Sequence, residues 1–175
     1  YSWFILLFVI LGTLAGALFP AYAPEVSYLG HLAMGVVGAF LFFASLLLHE
    51  LGHAVTARRR GIEVEGITLF IFGGMARTRR EAERPLDEFL VASMGPVVSF
   101  LLAAGFYAAG AAGRSQGLGP EFTVTLETLG YLNLLLAIFN LLPGFPLDGG
   151  RILRALLWMF TGSLRRATQA AAAFG

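Results

Sequence analysis

Long apolar runs alternate along the chain with short breaks rich in polar residues, glycine and proline. A helix that crosses the hydrocarbon core of a bilayer needs about 20 mostly apolar residues. Four runs are close to that length, at 3–19, 31–57, 86–112 and 122–142. A further helix is predicted to about residue 160, and the last residues resemble the start of a fifth span. The pattern therefore predicts an α-helical polytopic membrane protein with about four to five transmembrane helices.

The breaks between these runs predict where helices end and where short strands form. Pro20 and Pro24 are predicted to end the first span, because proline cannot continue a helix. The segment 62–74 first alternates apolar and charged residues and then becomes β-branched and aromatic, with glycines at its turning points. This pattern predicts a short β-hairpin or sheet between spans two and three, at the membrane surface. Pro85 is predicted in the first turn of span three, where Asp87 and Glu88 suit the positive helix end.

Composition supports a membrane protein and narrows the chemistry. Hydrophobic residues make up 57% of the chain and charged residues 13%, whereas soluble domains carry about 25% charged residues. The net charge of +1 gives no indication of a nucleic-acid partner. Since cysteine is absent, a metal would have to be held by histidine, carboxylate, carbonyl or water.

Arginine placement predicts the orientation. Seven arginines lie between Arg58 and Arg84 and four between Arg151 and Arg166, while the loops on the other side have only Arg114. Basic loops face the cytoplasm in most membrane proteins. The chain is therefore predicted to be an integral, multi-pass membrane protein, in contact with the lipid bilayer, whose motifs at 49–53 and 143–148 lie nearer the cytoplasmic side.

The sequence His49-Glu50-Leu51-Gly52-His53 predicts a metal site. Residues four apart in a helix lie one turn above each other on one face, so two imidazoles can share one tetrahedral Zn²⁺. Glu50, beside the first ligand, can accept a proton from water that the metal has acidified, as in zinc proteases. The alternative is a polar helix end reaching toward water, but ionisable groups within a span are usually functional.

A catalytic zinc site usually has three protein ligands, and the sequence offers few candidates for the third. Asp148 follows a proline- and glycine-rich break between two apolar helices. Spacing alone leaves two roles open for it, a metal ligand or the N-cap of the next helix. His31 lies eighteen residues before His49, about 27 Å along a helix, and is predicted at the opposite interface.

Two motifs together resemble the site-2 protease family of intramembrane metalloproteases. They are His-Glu-Leu-Gly-His at 49–53 and Asn-Leu-Leu-Pro-Gly-Phe-Pro-Leu-Asp-Gly at 140–149, where the family has Asn-x-x-Pro-x-x-Pro-x-Asp-Gly. The resemblance extends to Met-Gly-Pro-Val-Val-Ser at 94–99 and to the strand region at 72–76. No segment has room for the PDZ domain of one subgroup, so the chain resembles the compact members.

The resemblance implies a function and a set of site residues. It implies one Zn²⁺ per chain held by His49, His53 and Asp148, with Glu50 as the catalytic base. It implies that Asn140 stabilises the oxyanion or positions substrate, although Asn140 could equally bond backbone freed by Pro143. The expected reaction is hydrolysis of a peptide bond in or near a transmembrane segment of a protein substrate.

The family pattern also sets expectations for the extent of the chain and for rival functions. Residues 1–175 are expected to form a single transmembrane protease core that stops before the last one or two spans. The edge at 67–72 could pair with a substrate strand, or the hairpin could simply sit in the interface. The sequence gives no indication of the oligomeric state. The alternative function is a zinc-binding membrane transporter or sensor, which would need ligands spread along a path through the membrane.

Overall fold

The computed structural model describes residues 2–70, 73–78 and 82–173, and the side chains of residues 4–64 and 82–173. Four residues of the predicted strand and basic region, Ile71, Phe72, Arg79 and Arg80, lie outside the described residues.

Helices dominate the described part of the chain. The seven helices described are α1 (Ser2–Thr13), α2 (Phe19–Tyr22), α3 (Tyr28–Arg59), α4 (Pro85–Ser115), α5 (Pro120–Asn140), α6 (Asp148–Thr161) and α7 (Leu164–Ala172). Two strands, β1 (Val64–Phe70) and β2 (Gly73–Thr78), form a two-stranded sheet between α3 and α4.

Four helical stretches are long and apolar enough to cross a membrane. They are Phe4–Tyr22, Tyr28–Arg59, Pro85–Ser115 and Pro120–Asn140. Each corresponds to one of the apolar runs, and Pro85 begins its helix as predicted. The expected helical, multi-span architecture is thereby confirmed for the described residues.

The first span differs from the prediction at its end. Leu14–Leu18 forms a π-helical turn between α1 and α2, and the helical path continues past Pro20 to Tyr22. Pro20 falls in the first turn of α2, where its missing N–H group is tolerated. Of the two prolines predicted to end the span, Pro20 does not end it, because a proline at the start of a new helical segment need not break the path, and the helix ends at Tyr22, before Pro24.

Contacts divide the chain into two compact units. Among the described residues, the first unit comprises the chain up to Leu46 with Leu69–Gly73 and Phe100–Leu134. The second unit comprises Leu47–Thr68, Gly74–Ser99 and the chain from Leu135 onwards.

The first unit is held mainly by apolar packing. Its buried cluster comprises Leu14, Phe19, Ala23, Val26, Met34 and Ala39. A Cβ atom at Gly35 would lie 3.2 Å from the backbone of Ala15, so glycine permits a close approach of α3 to the first span. His31 is buried in this unit, and its Nε2 lies 2.9 Å from the carbonyl oxygen of Ala23.

Candidate metal centre

The centre begins with two histidines on α3. Because they are four residues apart in a continuous helix, His49 and His53 share one helix face, with ring centroids 5.0 Å apart. Their side chains are nearly fully buried, with 3% and 5% of their surface exposed. The nitrogens of two buried imidazoles require polar neighbours.

Asp148 supplies the first of those neighbours. Its Oδ2 atom lies 3.2 Å from Nε2 of His49 and 3.1 Å from Nε2 of His53. The N-cap of α6 is Leu147, with no side-chain capping bond, and Asp148 is the first helical residue. The N-cap interpretation of Asp148 was therefore wrong, since its carboxylate faces the histidines.

The turn before α6 places Asp148 deep within this unit. A Cβ atom at Gly149 would overlap the carbonyl groups of Leu141 and Leu142, and one at Gly150 would lie 2.7 Å from the carbonyl carbon of Gly144. Only glycine permits the backbone to fold back this closely at these positions. The two glycines after Asp148 thus allow α6 to start directly against the preceding loop.

The three ligand atoms have the spacing of a tetrahedral metal site. Nε2 of His49 and Nε2 of His53 are 3.3 Å apart, and both are within 3.2 Å of Oδ2 of Asp148. Zinc bonds to nitrogen and oxygen are about 2.0–2.2 Å, which gives tetrahedral edges of about 3.3–3.6 Å. These three atoms form the group of the described residues that could hold a metal ion.

The outer ring nitrogens orient the two imidazoles. Nδ1 of His53 lies 2.7 Å from the carbonyl oxygen of Val91, and Nδ1 of His49 lies 2.9 Å from Oγ of Ser99. Since a carbonyl oxygen only accepts, Nδ1 of His53 donates, and in the neutral ring Nε2 carries a lone pair. That lone pair points at another imidazole nitrogen and a carboxylate, an arrangement that favours a cation between them.

Gly95 on α4 keeps the space beside these atoms open. A Cβ atom at this position would overlap Nε2 of His53 and lie 2.6 Å from Nε2 of His49. Any side chain there would occupy the place that a shared metal ion needs. The absence of a side chain at Gly95 therefore fits a metal site.

The electrostatic surroundings of Asp148 keep its carboxyl group ionised, which is the form that binds a metal ion. Burial raises the pKa of this carboxyl group, but the neighbouring side chains of His49 and His53 outweigh burial and lower it to about 2. The group is therefore ionised at neutral pH and available to a cation.

The other two predicted site residues lie on α3 and at the end of α5. Glu50 is buried, with 7% of its surface exposed, and follows His49 on α3. Asn140 is half-buried at the end of α5, and its Nδ2 donates to the carbonyl oxygen of Leu136 at 2.9 Å. The carbonyl group that Pro143 would leave free is that of Phe139, which accepts from the backbone N–H of Leu142 instead.

Comparison with known proteins agrees with this geometry. The model of "Peptidase family M50" matches residues 37–124 and 111–175. The chain belongs to peptidase family M50. The resemblance to site-2 proteases is thereby confirmed, and with its four apolar helices this M50 chain is an integral, multi-pass membrane protein.

Individual M50 relatives cover most of the chain. The protein sll0528 of Synechocystis sp. is 41% identical over 162 residues, which is 93% of this chain and 41% of that protein. Zinc metalloprotease MJ0392 of Methanocaldococcus jannaschii is 38% identical over 135 residues, which is 77% of this chain and 38% of that protein. The chain thus spans less than half the length of these curated relatives.

A solved M50 structure has the same fold. The site-2 protease from Methanocaldococcus jannaschii superposes with a TM-score of 0.63 at 32% identity, over 98% of this chain and 72% of that chain.

Sequence reasoning gave no role to three groups that surround the histidines. Ser99, Gly95 and the carbonyl of Val91 all belong to α4. Gly95 and Ser99 are four residues apart and therefore share a helix face, a signal that could have pointed to them. A backbone carbonyl such as that of Val91 carries no signal in the sequence at all.

Proposed function

We propose that this chain forms the core of a zinc-dependent intramembrane endopeptidase that hydrolyses a peptide bond in or near a transmembrane segment of a protein substrate. The observation that carries the proposal is the triangle of Nε2, Nε2 and Oδ2 atoms with edges of 3.1–3.3 Å. The zinc metalloprotease and site-2 protease names of its M50 relatives support the same activity.

His49, His53 and Asp148 would hold one zinc ion per chain. Three protein ligands are the usual complement of a catalytic zinc site. When bound, zinc supplies Lewis acidity to the scissile carbonyl group and to the attacking water. Hydrogen bonds of Nδ1 of His53 with the carbonyl of Val91 and of Nδ1 of His49 with Ser99 hold the two rings in the orientation that presents Nε2.

Glu50 would act as the catalytic base. It accepts a proton from the attacking water and passes it to the leaving amine, a role suited to a carboxylate beside a ligand. Its burial favours this role, because proton transfer is more effective where bulk water is excluded. Asn140 would position substrate or stabilise the oxyanion, because its amide has a second N–H besides the one donated to the carbonyl of Leu136.

The remaining assignments concern the membrane. Residues 1–175 would act as one transmembrane protease core, with the basic segments and the metal centre nearer the cytoplasmic side. The sheet of β1 and β2 would lie at the membrane surface, where it could receive an extended substrate segment. The partners are then a transmembrane protein substrate and the lipid bilayer.

The test is a cleavage assay with the intact protein purified in detergent and a transmembrane protein substrate, together with zinc content. Glu50→Gln should retain zinc and lose cleavage by at least about 100-fold, because general acid–base groups contribute about 10²–10⁴-fold. The matched control is Glu25→Gln, which changes an exposed glutamate in the first unit and should leave cleavage unchanged. Full activity of Glu50→Gln would contradict the mechanism, and zinc bound to the unmodified protein without any cleavage would favour a zinc-binding transporter or sensor.

A further inference from the structure

A buried ion pair joins two helices of the second unit away from the ligands themselves. Nε of Arg154 on α6 donates to Oε1 of Glu88 on α4 at 2.8 Å, and its Nη2 donates to the same oxygen. Glu88 has only 2% of its side chain exposed and Arg154 only 16%. A pair buried this deeply is weak evidence for net stability, but removal of one partner would leave an unpaired buried charge.

Both partners lie close along their helices to groups of the metal centre. Glu88 is three residues, about 4.5 Å of helix, before Val91, whose carbonyl oxygen accepts from Nδ1 of His53. Arg154 is six residues, about 9 Å of helix, after Asp148. The ion pair therefore connects the helix that orients His53 to the helix that carries Asp148.

Arg154 also contacts the loop that leads to Asp148. Its guanidinium carbon lies 5.7 Å from the centre of the Phe145 ring, within the range of a cation–π interaction. The loop from Leu141 to Leu147 has no regular secondary structure. Arg154 thus contacts both α4, through Glu88, and the loop that precedes Asp148, through Phe145.

Metal ligands tolerate little displacement. A productive site needs its ligands within about 0.5 Å of their positions. Over the 9 Å between Arg154 and Asp148, a tilt of α6 by about 5° would move the carboxylate by about 0.8 Å. Contacts that limit the tilt of α6, such as those of Arg154 with Glu88 and Phe145, therefore help to hold Asp148 against the two histidines.

We propose that Glu88 and Arg154 form a positioning pair that fixes Asp148 for metal binding. The proposal rests on the proposed zinc site, because it assigns the pair to metal affinity rather than to the cleavage step. Neither residue touches the substrate or the metal.

The experiment measures zinc affinity of the intact, detergent-purified protein by competition with a chelator, and the visible spectrum after Co²⁺ substitution. Glu88→Gln keeps the side-chain volume and removes the charge. Arg154→Lys keeps the positive charge but removes the planar guanidinium group, which donates two hydrogen bonds to Glu88. Each should weaken zinc binding by about 10- to 100-fold, the usual effect of groups behind the ligands, and alter the Co²⁺ spectrum.

Asp87→Asn is the matched control. Asp87 neighbours Glu88 and pairs with Arg60 at 3.3 Å, but Arg60 is 42% exposed. Removing this solvent-exposed pair should change zinc affinity by no more than about 2-fold. Unfolding of the metal-free proteins is followed in parallel, and if Glu88→Gln does not fold, Arg154→Lys decides the question.

A double-mutant cycle separates positioning from general support of the fold. In an Asp148→Ala background, Glu88→Gln should cause no further loss of zinc affinity, because the ligand that it positions is gone. Two results would overturn the positioning role: zinc affinity as in the wild type in both Glu88→Gln and Arg154→Lys, or a loss of zinc affinity in Glu88→Gln that adds fully to the loss in Asp148→Ala. Neither result would contradict the proposed zinc site itself. If the unmodified protein binds no zinc, the proposed function fails and the inference with it.

Discussion

The two units of this chain bury polar side chains in different ways. In the first unit, buried threonine and serine side chains bond to carbonyl groups one turn earlier in their own helices, as Thr125 does to Glu121 and Ser45 to Leu41. In the second unit, the buried polar groups meet across α3, α4 and α6, as His49 does with Ser99 and Asp148. A hydrogen bond within one helix lowers the free-energy cost of burying a single polar group. Polar side chains that converge from three helices are not explained by such local bonds, and a shared metal ion would explain them.

One hydrogen-bonded pair in the first unit resembles the contacts of the second unit, because it joins side chains of two different helices. Nδ2 of Asn133 donates to Oγ of Ser45 at 3.2 Å and to the carbonyl oxygen of Leu129 at 2.9 Å. Its Oδ1 is the buried side-chain oxygen that has no hydrogen-bond partner among the described residues. This pair brings no charge and no metal ligand together, so we assign it to helix packing, and the comparison predicts that it can be changed without loss of zinc.

The largest contrast is expected between two glycines of α4. Gly95→Ala should reduce zinc affinity by at least about 100-fold, because a Cβ atom there would overlap Nε2 of His53. Gly105→Ala on the same helix should leave affinity unchanged, because a Cβ atom at Gly105 meets nothing within 4 Å. Zinc titration of the two purified variants checks this, and normal zinc binding by Gly95→Ala would refute the placement of the metal.

A smaller contrast is expected between two buried serines. Ser99→Ala removes the partner of Nδ1 of His49 and should weaken zinc binding by about 10-fold. Ser45→Ala removes a bond to Asn133 and should cost about 1 kcal/mol of unfolding free energy with no change in zinc affinity. Chelator competition and denaturation of both variants measure the two effects. If the two variants bound zinc with equal affinity, the buried serine of the second unit would have no role in zinc binding that the serine of the first unit lacks.

The spans and the histidine pair could be predicted from the sequence, because both follow from local rules. Bilayer thickness fixes the length of an apolar helix, and the helical repeat fixes the relation of His49 to His53. The end of the first span was missed, since the π-helical turn before Pro20 leaves no clear pattern in the sequence.

The rest of the centre depends on packing between distant segments. Asp148 lies 95 residues beyond His53 along the chain, and spacing alone left its role open between ligand and cap. The resemblance of 140–149 to the site-2 protease motif favoured the ligand role. The pairing of Glu88 with Arg154 could not be predicted, because Glu88 in a first helical turn is equally explained by the helix dipole.

We propose that His49, His53 and Asp148 together hold one zinc ion. The most direct measurement is zinc content with X-ray absorption spectroscopy of the intact purified protein, compared with Asp148→Ala. We expect one zinc per chain with two histidine nitrogens and a carboxylate oxygen at about 2.0–2.2 Å, and loss of that oxygen in the variant. A metal-free protein, or an unchanged zinc environment in Asp148→Ala, would contradict it.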